Sequence, residues 1–574
     1  MKKKIFLAAI FMVLMAAACK KGGVLEQVKT TDLTEESTFA DSARTMQFLT
    51  RIYTDIGFSA DPKRFTDAGS GVGIYTLGDE VESSLLAASA FNIIFQTGAI
   101  SALNVPKDAW EKTYANIRRV NILLSHLSTI PLSQRLKDRI AGEARFLRAW
   151  YYFILIKHYG GVPLVGDVVY GATDPVSGKR ATYEECVNYI ESECDAAALA
   201  LPLVQTGLDF GRITKGAALA LKSRLLLYAA SPLFNGRADM DGVLGYPNAD
   251  PARWSKAAKA ALDVISLNQY SLYELAGGLG FQKVFTLRKN SEYILAAMAG
   301  NNRTLEAMWD PATRTGSGNA MPYQELVDAF GTINGKPITE DLKSPGNPTG
   351  YDPTNPYVNR DPRFNWSILY NEAPRLNTSK TVTPVFTYAG AAQDGFNFTK
   401  TGYYLRKMLD DNTIASSTSS ATERCFPLIR YAEILLNYAE ASNEAGDTQT
   451  AYTQLKAIRK RAGILAGPED DYGLAEGLTK EGMRTVIQNE RRVELAIEEH
   501  RYWDVRRWKI AENVSNKTLH GMKITRLGTG TPATYTYELI NIRTPAFVAP
   551  KYYLWPIPQG EVNKSAELMQ NPGW

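Results

Sequence analysis

Apolar residues recur at helical spacing through most of residues 35–263, in runs separated by stretches rich in glycine, proline and asparagine. The clearest run is Glu143–Tyr159. Two adjacent faces of this predicted helix are apolar, and they are formed by Phe146, Trp150 and Phe153 and by Leu147, Tyr151 and Ile154. The helix should therefore be buried between neighbours and should end at Gly160 and Gly161.

A repeated helix pair is predicted in Arg430–Arg461, where two helical patterns flank a turn at Gly446. Ala439 precedes the turn, and Ala451 and Leu455 follow it at the spacing by which paired helices of tetratricopeptide repeats pack closely. A looser copy runs from Lys215 to Ile265 and is rich in alanine. The alternative is a pair of ordinary helical hairpins, because alanine-rich hairpins are common. Either interpretation predicts that Ala451 is buried.

The pattern changes between Gly331 and Arg424, where helical periodicity gives way to loops and short strands such as Phe364–Tyr370. Six prolines fall within about thirty residues, at Pro337, Pro345, Pro348, Pro353, Pro356 and Pro362. A connection of this length is unusual in a compact body unless it has a function.

The N-terminus has the pattern of a bacterial signal peptide. Three lysines precede an apolar stretch, and small residues then lead to Cys19, whose position resembles a lipobox. The alternative is a membrane-spanning helix, but roughly 14 apolar residues fall short of the ~20 that a span requires. We expect residues 1–18 to be removed and Cys19 to be acylated. Removal of three lysines lowers the formal charge from +4 to +1, which gives no electrostatic case for a nucleic-acid partner.

The chain carries few residues suited to catalysis. It has no Walker loop, GxSxG elbow or HExxH motif, and only four histidines. The other cysteines, Cys186, Cys194 and Cys425, lack metal-site spacing and should be packing residues. In Glu490–Lys509, glutamates recur every four residues beside arginines, which predicts a salt-bridged helix rather than the paired carboxylates of a glycosidase. No catalytic, metal or cofactor site is predicted.

Several segments resemble the SusD/RagB family of nutrient-uptake lipoproteins, and they occur in order along nearly the whole mature chain. They are EARFLRAWYYFILIKHYGGVPLV, KGAALALKSRLLLYAASPLFNG, NRDPRF, PLIRYAEILLNYAEASNEAGD, ERRVELAIEEHRYWDVRRW, LWPIPQGEVN and QNPGW. The resemblance implies a mainly α fold, with a tetratricopeptide-like helix-pair scaffold, long loop-rich insertions and a few short β-strands.

The resemblance also implies a function. The protein would be a lipid-anchored, outward-facing glycan receptor of the outer membrane that delivers oligosaccharide to a SusC-type TonB-dependent transporter. The family has no catalytic residues to carry over. Lys20 and Lys21 depart from the acidic residues that often follow the cysteine in exported lipoproteins. One alternative is a tetratricopeptide-type interaction scaffold without sugar binding. Another is a hydrolase, for which the sequence lacks paired acidic residues outside the predicted salt-bridged helix.

We therefore predict a signal peptide at 1–18, a tether at 19–34 and a single body at 35–574. Within the body, the helical scaffold covers about 35–270 and 427–510, ligand-side insertions cover about 271–426, and a C-terminal segment covers 511–574.

Candidate ligand residues follow from the chemistry of sugars, whose apolar faces stack on exposed aromatic rings. Trp150, Tyr151, Trp503 and Trp508 lie in helical patterns and should be core residues. Trp309 lies in a polar stretch and is the main stacking candidate. Its predicted polar neighbours are Asn301, Arg303 and Arg314, and the second candidates are Tyr75, Phe91 and Phe95.

Overall fold

The structure is a computed structural model. It describes residues 34–574 except 68–69, 86, 172, 342–349, 392–393, 395–398 and 418–420. The predicted signal peptide and Cys19 lie outside the described residues.

Helices make up most of the regular structure. They are α1 (Glu35–Phe39), α2 (Ser42–Tyr53), α3 (Phe91–Gln96), α4 (Asp108–His126), α5 (Gln134–Tyr159), α6 (Tyr183–Ala200), α7 (Lys215–Ala230), α8 (Ala252–Ile265), α9 (Leu279–Thr286), α10 (Thr304–Trp309), α11 (Gln324–Ala329), α12 (Ile338–Asp341), α13 (Pro362–Ser367), α14 (Tyr431–Glu444), α15 (Thr448–Ala462), α16 (Lys480–Glu494), α17 (His500–Arg507), α18 (Ala511–Ser515) and α19 (Gln559–Val562). The mainly α, helix-pair fold predicted from the sequence is confirmed.

The scaffold consists of antiparallel helix pairs packed side by side. Helix α5 packs on α4 and α6, α7 packs on α8, and α14 packs on both α8 and α15. As predicted, α5 is buried almost all round along its second half and ends at Gly160, whose φ of 81° suits glycine. Ala451 is fully buried between α14 and α15, beside Ala439 and Leu455. Small residues at this contact let the two helices approach closely.

The strands form two-stranded antiparallel pairs. They are β1 (Phe65–Asp67), β2 (Ser70–Val72), β3 (Val81–Ser83), β4 (Tyr293–Ala297), β5 (Asn301–Asn302), β6 (Ala320–Pro322), β7 (Ile368–Leu369), β8 (Pro374–Leu376), β9 (Val382–Pro384), β10 (Tyr404–Leu405), β11 (Thr422–Glu423), β12 (Phe426–Arg430), β13 (Leu519–Leu527) and β14 (Thr534–Arg543). Pairing across long separations, such as β12 with β4, ties the loop-rich region to the helical scaffold.

One expectation about strands was wrong, and one strand pair was not predicted. The predicted strand Phe364–Tyr370 is largely helix α13, because the Asp361 side chain caps the backbone N–H of Arg363 and Pro362 occupies the first turn. Only Ile368–Leu369 remains extended. The long β13–β14 hairpin was not predicted, although its second strand alternates threonine with tyrosine at Thr534–Tyr537.

The charged segment Glu490–Lys509 also differs from the prediction of one salt-bridged helix. Helix α16 ends at Glu494, positive φ angles follow at Ile497 and Glu499, and α17 begins at His500. The glutamates are buried, and their partners come from other parts of the chain. Glu494, for example, accepts from Arg430 at 2.7 Å and from Arg363 at 2.9 Å, and pairs with Arg461. Burial makes these pairs part of the core.

Other predictions about packing hold. Trp150, Tyr151, Trp503 and Trp508 are buried. Cys186, Cys194 and Cys425 are buried free thiols.

Within the described part of the chain, every helix is too short or too polar to cross a bilayer.

Candidate functional site

The structure places Trp309 in the core rather than on an exposed loop. Its ring is fully buried at the end of α10, and its indole N–H donates to the hydroxyl oxygen of Tyr75 at 3.1 Å. Tyr75 is itself 4% exposed. The two rings meet edge to face, so each covers the other. The assignments of Trp309 and Tyr75 as sugar-stacking residues were therefore wrong.

Arg314 is also a structural residue. Its guanidinium is buried and donates to the carbonyl oxygens of Arg375 and Pro384, each at 2.9 Å, and it pairs with Asp394 at 3.3 Å. These bonds anchor the β8–β9 hairpin to the turn that follows α10. Because its guanidinium is buried and both terminal nitrogens donate to protein acceptors, Arg314 is not available to sugar hydroxyls, and its assignment was wrong.

The remaining predicted residues are more accessible to solvent, but they are spread over different parts of the surface and do not line one shared site. Asn301 is exposed and lines a cleft of about 500 Å³, with Asn302 beside it. Arg303 is half-buried at the start of α10. Phe91 and Phe95 are half-buried against the helical core, 5.5 Å from the Phe65 ring and 5.0 Å from the Trp555 ring respectively. These four residues stay predictions.

A different set of half-exposed aromatic rings lies outside the helices, on loops and on strand β14. We call this set the aromatic face, and it comprises Tyr370, Phe386, Tyr388, Tyr535 and Tyr537, all half-buried. The ring centroids of Phe386 and Tyr388 are 5.9 Å apart, and those of Tyr388 and Tyr535 are 5.8 Å apart.

The remaining two rings of the aromatic face, Tyr370 and Tyr537, both contact the buried ring of Tyr357. Tyr357 lies 4.6 Å from Tyr370 and 5.7 Å from Tyr537, centroid to centroid. Tyr535 and Tyr537 lie on the same side of β14, because alternate residues of a strand point the same way. The five rings thus form one continuous surface.

Hydrogen bonds hold the three segments of the aromatic face together. The Ala389 N–H donates to the Ile524 carbonyl at 2.8 Å, which fixes the segment after β9 to β13. The Asn371 side chain accepts from the Thr387 N–H at 3.0 Å, and Asn371 is itself buried. The rings are therefore held in place before any ligand arrives.

Polar groups border the rings. The Tyr535 hydroxyl donates to Glu372 at 2.8 Å, and the Arg526 guanidinium lies 6.0 Å from the Tyr388 centroid. Burial, with the Glu372 carboxylate adding to it, raises the pKa of Tyr535, and burial raises that of Tyr537 to about 12. Both phenols therefore keep their protons at neutral pH and can donate hydrogen bonds.

Sequence reasoning missed the aromatic face because its segments are far apart in the chain. Tyr370 and Tyr535 are separated by more than 160 residues, and no local pattern joins them. One signal was available, since the alternation at Thr534–Tyr537 places two tyrosines on one side of a strand.

The side chains that the structure describes do not gather into a metal site. No group of three or more His, Cys, Asp or Glu side chains there could hold a metal ion. The clustered glutamates of α16 and of the segment after it form ion pairs with arginine and lysine side chains. Glu498, for example, accepts from Arg430 at 2.6 Å and from Lys407 at 2.8 Å.

Comparison with known proteins gives one consistent result. The model of the SusD family matches residues 265–574, more than half of the chain, and a model described as starch-binding associating with outer membrane matches residues 79–227. SusD-like protein P2 of Formosa agariphila is 25% identical over 476 residues, which cover 81% of this chain and 80% of the relative.

Solved structures agree. A crystal structure of a SusD-like protein from Bacteroides fragilis has a TM-score of 0.76 and 28% identity, covering 94% of this chain and 99% of the other. A SusD-like carbohydrate-binding protein from the same species has a TM-score of 0.70 and 24% identity, covering 93% and 100%. The chain belongs to the SusD family.

Proposed function

We propose that this protein is a surface glycan receptor that captures oligosaccharide on the aromatic face and delivers it to a SusC-type TonB-dependent transporter in the outer membrane. The observation that carries the proposal is the aromatic face itself: five half-exposed rings from three separate segments, held in one surface by buried hydrogen bonds.

The physical argument rests on the two surfaces of a sugar ring. Its C–H faces are apolar and stack on aromatic rings, whereas its hydroxyl edges need hydrogen-bond partners. The aromatic face supplies both. The rings of Phe386 and Tyr388 offer apolar area, and the tyrosine hydroxyls, Glu372 and Arg526 lie at the border.

Family membership supports sugar binding, because one of the family models is described as starch-binding and a structural relative is described as carbohydrate-binding. It also supports a receptor rather than an enzyme. The buried glutamates paired with basic side chains fit this reading, since glycoside hydrolysis needs two carboxyl groups facing the substrate.

The decisive experiment measures binding of the purified protein to a panel of polysaccharides, by calorimetry or affinity electrophoresis. For the glycan that binds, Tyr388→Ala and Tyr535→Ala are each expected to weaken affinity by about 1–3 kcal/mol. The control is Trp254→Ala, which removes a half-buried ring from helix α8, away from the aromatic face.

If Tyr388→Ala and Tyr535→Ala bind the glycan as tightly as the parent and the control do, the aromatic face is not the binding platform. Asn301, Arg303, Phe91 and Phe95 would then be the next positions to vary. Release of reducing sugar from any member of the panel would reject the receptor reading in favour of a hydrolase.

The transporter partnership has its own test. A tagged copy extracted from native membranes is expected to copurify with a β-barrel partner, through an interface of roughly 2,000 Å² or more, as in permanent complexes. Recovery without a barrel protein under every detergent condition would contradict this part of the proposal.

A further inference from the structure

Four aliphatic side chains at the end of helix α6 and in the connection to α7 face water. We call them the apolar strip, and their exposed fractions are 88% for Leu199, 44% for Leu203, 58% for Val204 and 105% for Leu208. Isolated exposed aliphatic side chains are common, but four within ten residues of the chain point to a partner.

Polar contacts fix the connection that carries the strip. The Gln205 amide is buried and donates to the Ile213 carbonyl at 3.1 Å. Asp209 pairs with Arg139 of α5 at 2.6 Å, and the Lys215 N–H donates to the Pro202 carbonyl at 2.9 Å. The connection is thus firmly held while the four aliphatic side chains stay exposed.

Both ends of the strip lie against one turn of α5. Next to Leu199, Ala200 approaches Gly142 so closely that a Cβ on that glycine would lie 3.0 Å from the Ala200 Cβ. Next to Leu208, Asp209 pairs with Arg139, three residues and about 4.5 Å before Gly142 along the helix. The exposed leucines therefore share one side of the molecule.

This side is also where the chain enters the body. The Thr45 hydroxyl of α2 donates to the Thr38 carbonyl of α1 at 3.4 Å. Five residues later on α2, about 7.5 Å along the helix, the Thr50 hydroxyl accepts from Arg212 of the α6–α7 connection at 3.5 Å. The chain between Cys19 and Thr34 spans at most about 50 Å. An anchor at Cys19 would therefore hold the start of the body within about 50 Å of the bilayer and leave the strip able to reach it.

The chemistry of the strip fits lipid better than sugar. Its side chains are aliphatic, whereas sugars stack on aromatic rings. Two of the charges beside it are already paired, since Arg212 bonds Glu143 at 2.9 Å and Arg139 bonds Asp209. Lys289, 5.9 Å from the Phe210 ring, could add some attraction to anionic headgroups, but burial of apolar area would supply most of the binding energy.

From these contacts we infer that the apolar strip inserts into the surface of the lipid bilayer and fixes the orientation of the body on the membrane. The inference rests on the proposed lipid anchor, which brings the strip to the bilayer. It adds a second, non-covalent membrane contact to that anchor.

The test uses residues 19–574 with Cys19→Ser, which contain every described residue and carry no acyl chain. Flotation with vesicles of phosphatidylcholine alone, and of phosphatidylcholine with one-third phosphatidylglycerol, is expected to show binding to both, with at most a modest gain from the anionic lipid. The triple variant Leu199→Gln, Leu203→Gln and Leu208→Gln is expected to lower the partition coefficient by about tenfold or more. The matched control, Leu103→Gln, alters a residue 80% exposed outside the strip and should change nothing.

A dye that fluoresces in apolar surroundings, attached at Leu208→Cys, should brighten with vesicles, whereas the same dye at Leu103→Cys should not. Absence of vesicle binding by the parent, or equal binding by the triple variant, would overturn the inference. A lower sedimentation mass for the triple variant would also overturn it and assign the strip to contact between copies. Because the measured chain has no acyl group, failure here is distinguishable from failure of the anchor at Cys19.

Discussion

The indole N–H of Trp309 donates to the Tyr75 hydroxyl oxygen across 3.1 Å, and the two ring centroids lie 5.9 Å apart at an interplanar angle of 87°. These residues are 234 positions apart in the chain. Their contact joins α10 to the segment before β3, so it stabilises the fold and leaves neither ring free for a ligand.

Trp309→Ala should therefore destabilise the protein by about 3–5 kcal/mol, because it removes a large, fully buried side chain and leaves a cavity. Chemical denaturation measures the loss. Tyr75→Phe keeps the ring and removes only the hydroxyl, which accepts from Trp309 and donates to the Pro62 carbonyl, and it should cost about 1–2 kcal/mol. Weaker glycan binding with unchanged stability would return Trp309 to the ligand site.

Ala451→Leu should overpack the contact between α14 and α15 and cost roughly 1–3 kcal/mol. Thr453→Leu, at an exposed position of the same helix, adds a similar side chain without a neighbour to displace. Thermal unfolding of both variants is the measurement. If the two melt alike, the close approach of the helices does not depend on a small residue.

Glu494→Gln should be strongly destabilising, by about 3–5 kcal/mol, because it leaves the buried guanidinium groups of Arg430, Arg461 and Arg363 without their shared carboxylate. Burial alone would raise the pKa of Glu494, but these arginines hold it well below its usual range. Glu481→Gln, on an exposed turn of the same helix, is the control. Equal urea midpoints for the two variants would argue against the network.

Stability should fall between about pH 5 and pH 8 because of Glu80. Burial, reinforced by the Asp79 carboxylate, raises the pKa of Glu80 to about 7, against 4.5 for an ordinary glutamate. The folded protein thus holds this proton more tightly than the unfolded chain does. The resulting stability is complete below about pH 4.5 and is lost as the pH rises through 7.

Glu80→Gln keeps the side-chain oxygen that accepts from the Ile497 N–H, but it cannot ionise. The difference in unfolding free energy between the variant and the parent should therefore move in favour of the variant by roughly 3 kcal/mol from pH 4 to pH 8. Groups common to both proteins cancel in this difference. A difference that stays constant with pH would show that Glu80 titrates normally.

Cys19→Ser should release the protein from membranes to the soluble fraction, because several acyl chains at one residue give a stable anchor and their loss removes it. Cys425→Ser, at a buried thiol of the body, should leave the protein in the membrane fraction. Fractionation and mass spectrometry of the mature N-terminus are the measurements. An unmodified thiol at Cys19 in the mature protein would contradict the prediction.

The sequence alone determined those features whose signal is local. The apolar periodicity of Glu143–Tyr159 predicted a buried helix, and the small residues Ala439 and Ala451 predicted a close helix pair. The family resemblance was readable because its motifs are continuous stretches. In each case, residues within a few helical turns carry the information.

Tertiary structure alone decided which loop aromatics are buried and where charged residues find partners. Trp309 lies in a polar stretch, yet Tyr75 and the surrounding core cover it. Glu494 was predicted to pair with arginines of its own helix, yet its partner Arg430 is 64 positions away. Tyr388 and Tyr535 become neighbours only when β13 pairs with β14 and the Ala389 N–H bonds to β13. Exposure depends on which distant segment covers a side chain, and no local periodicity records that.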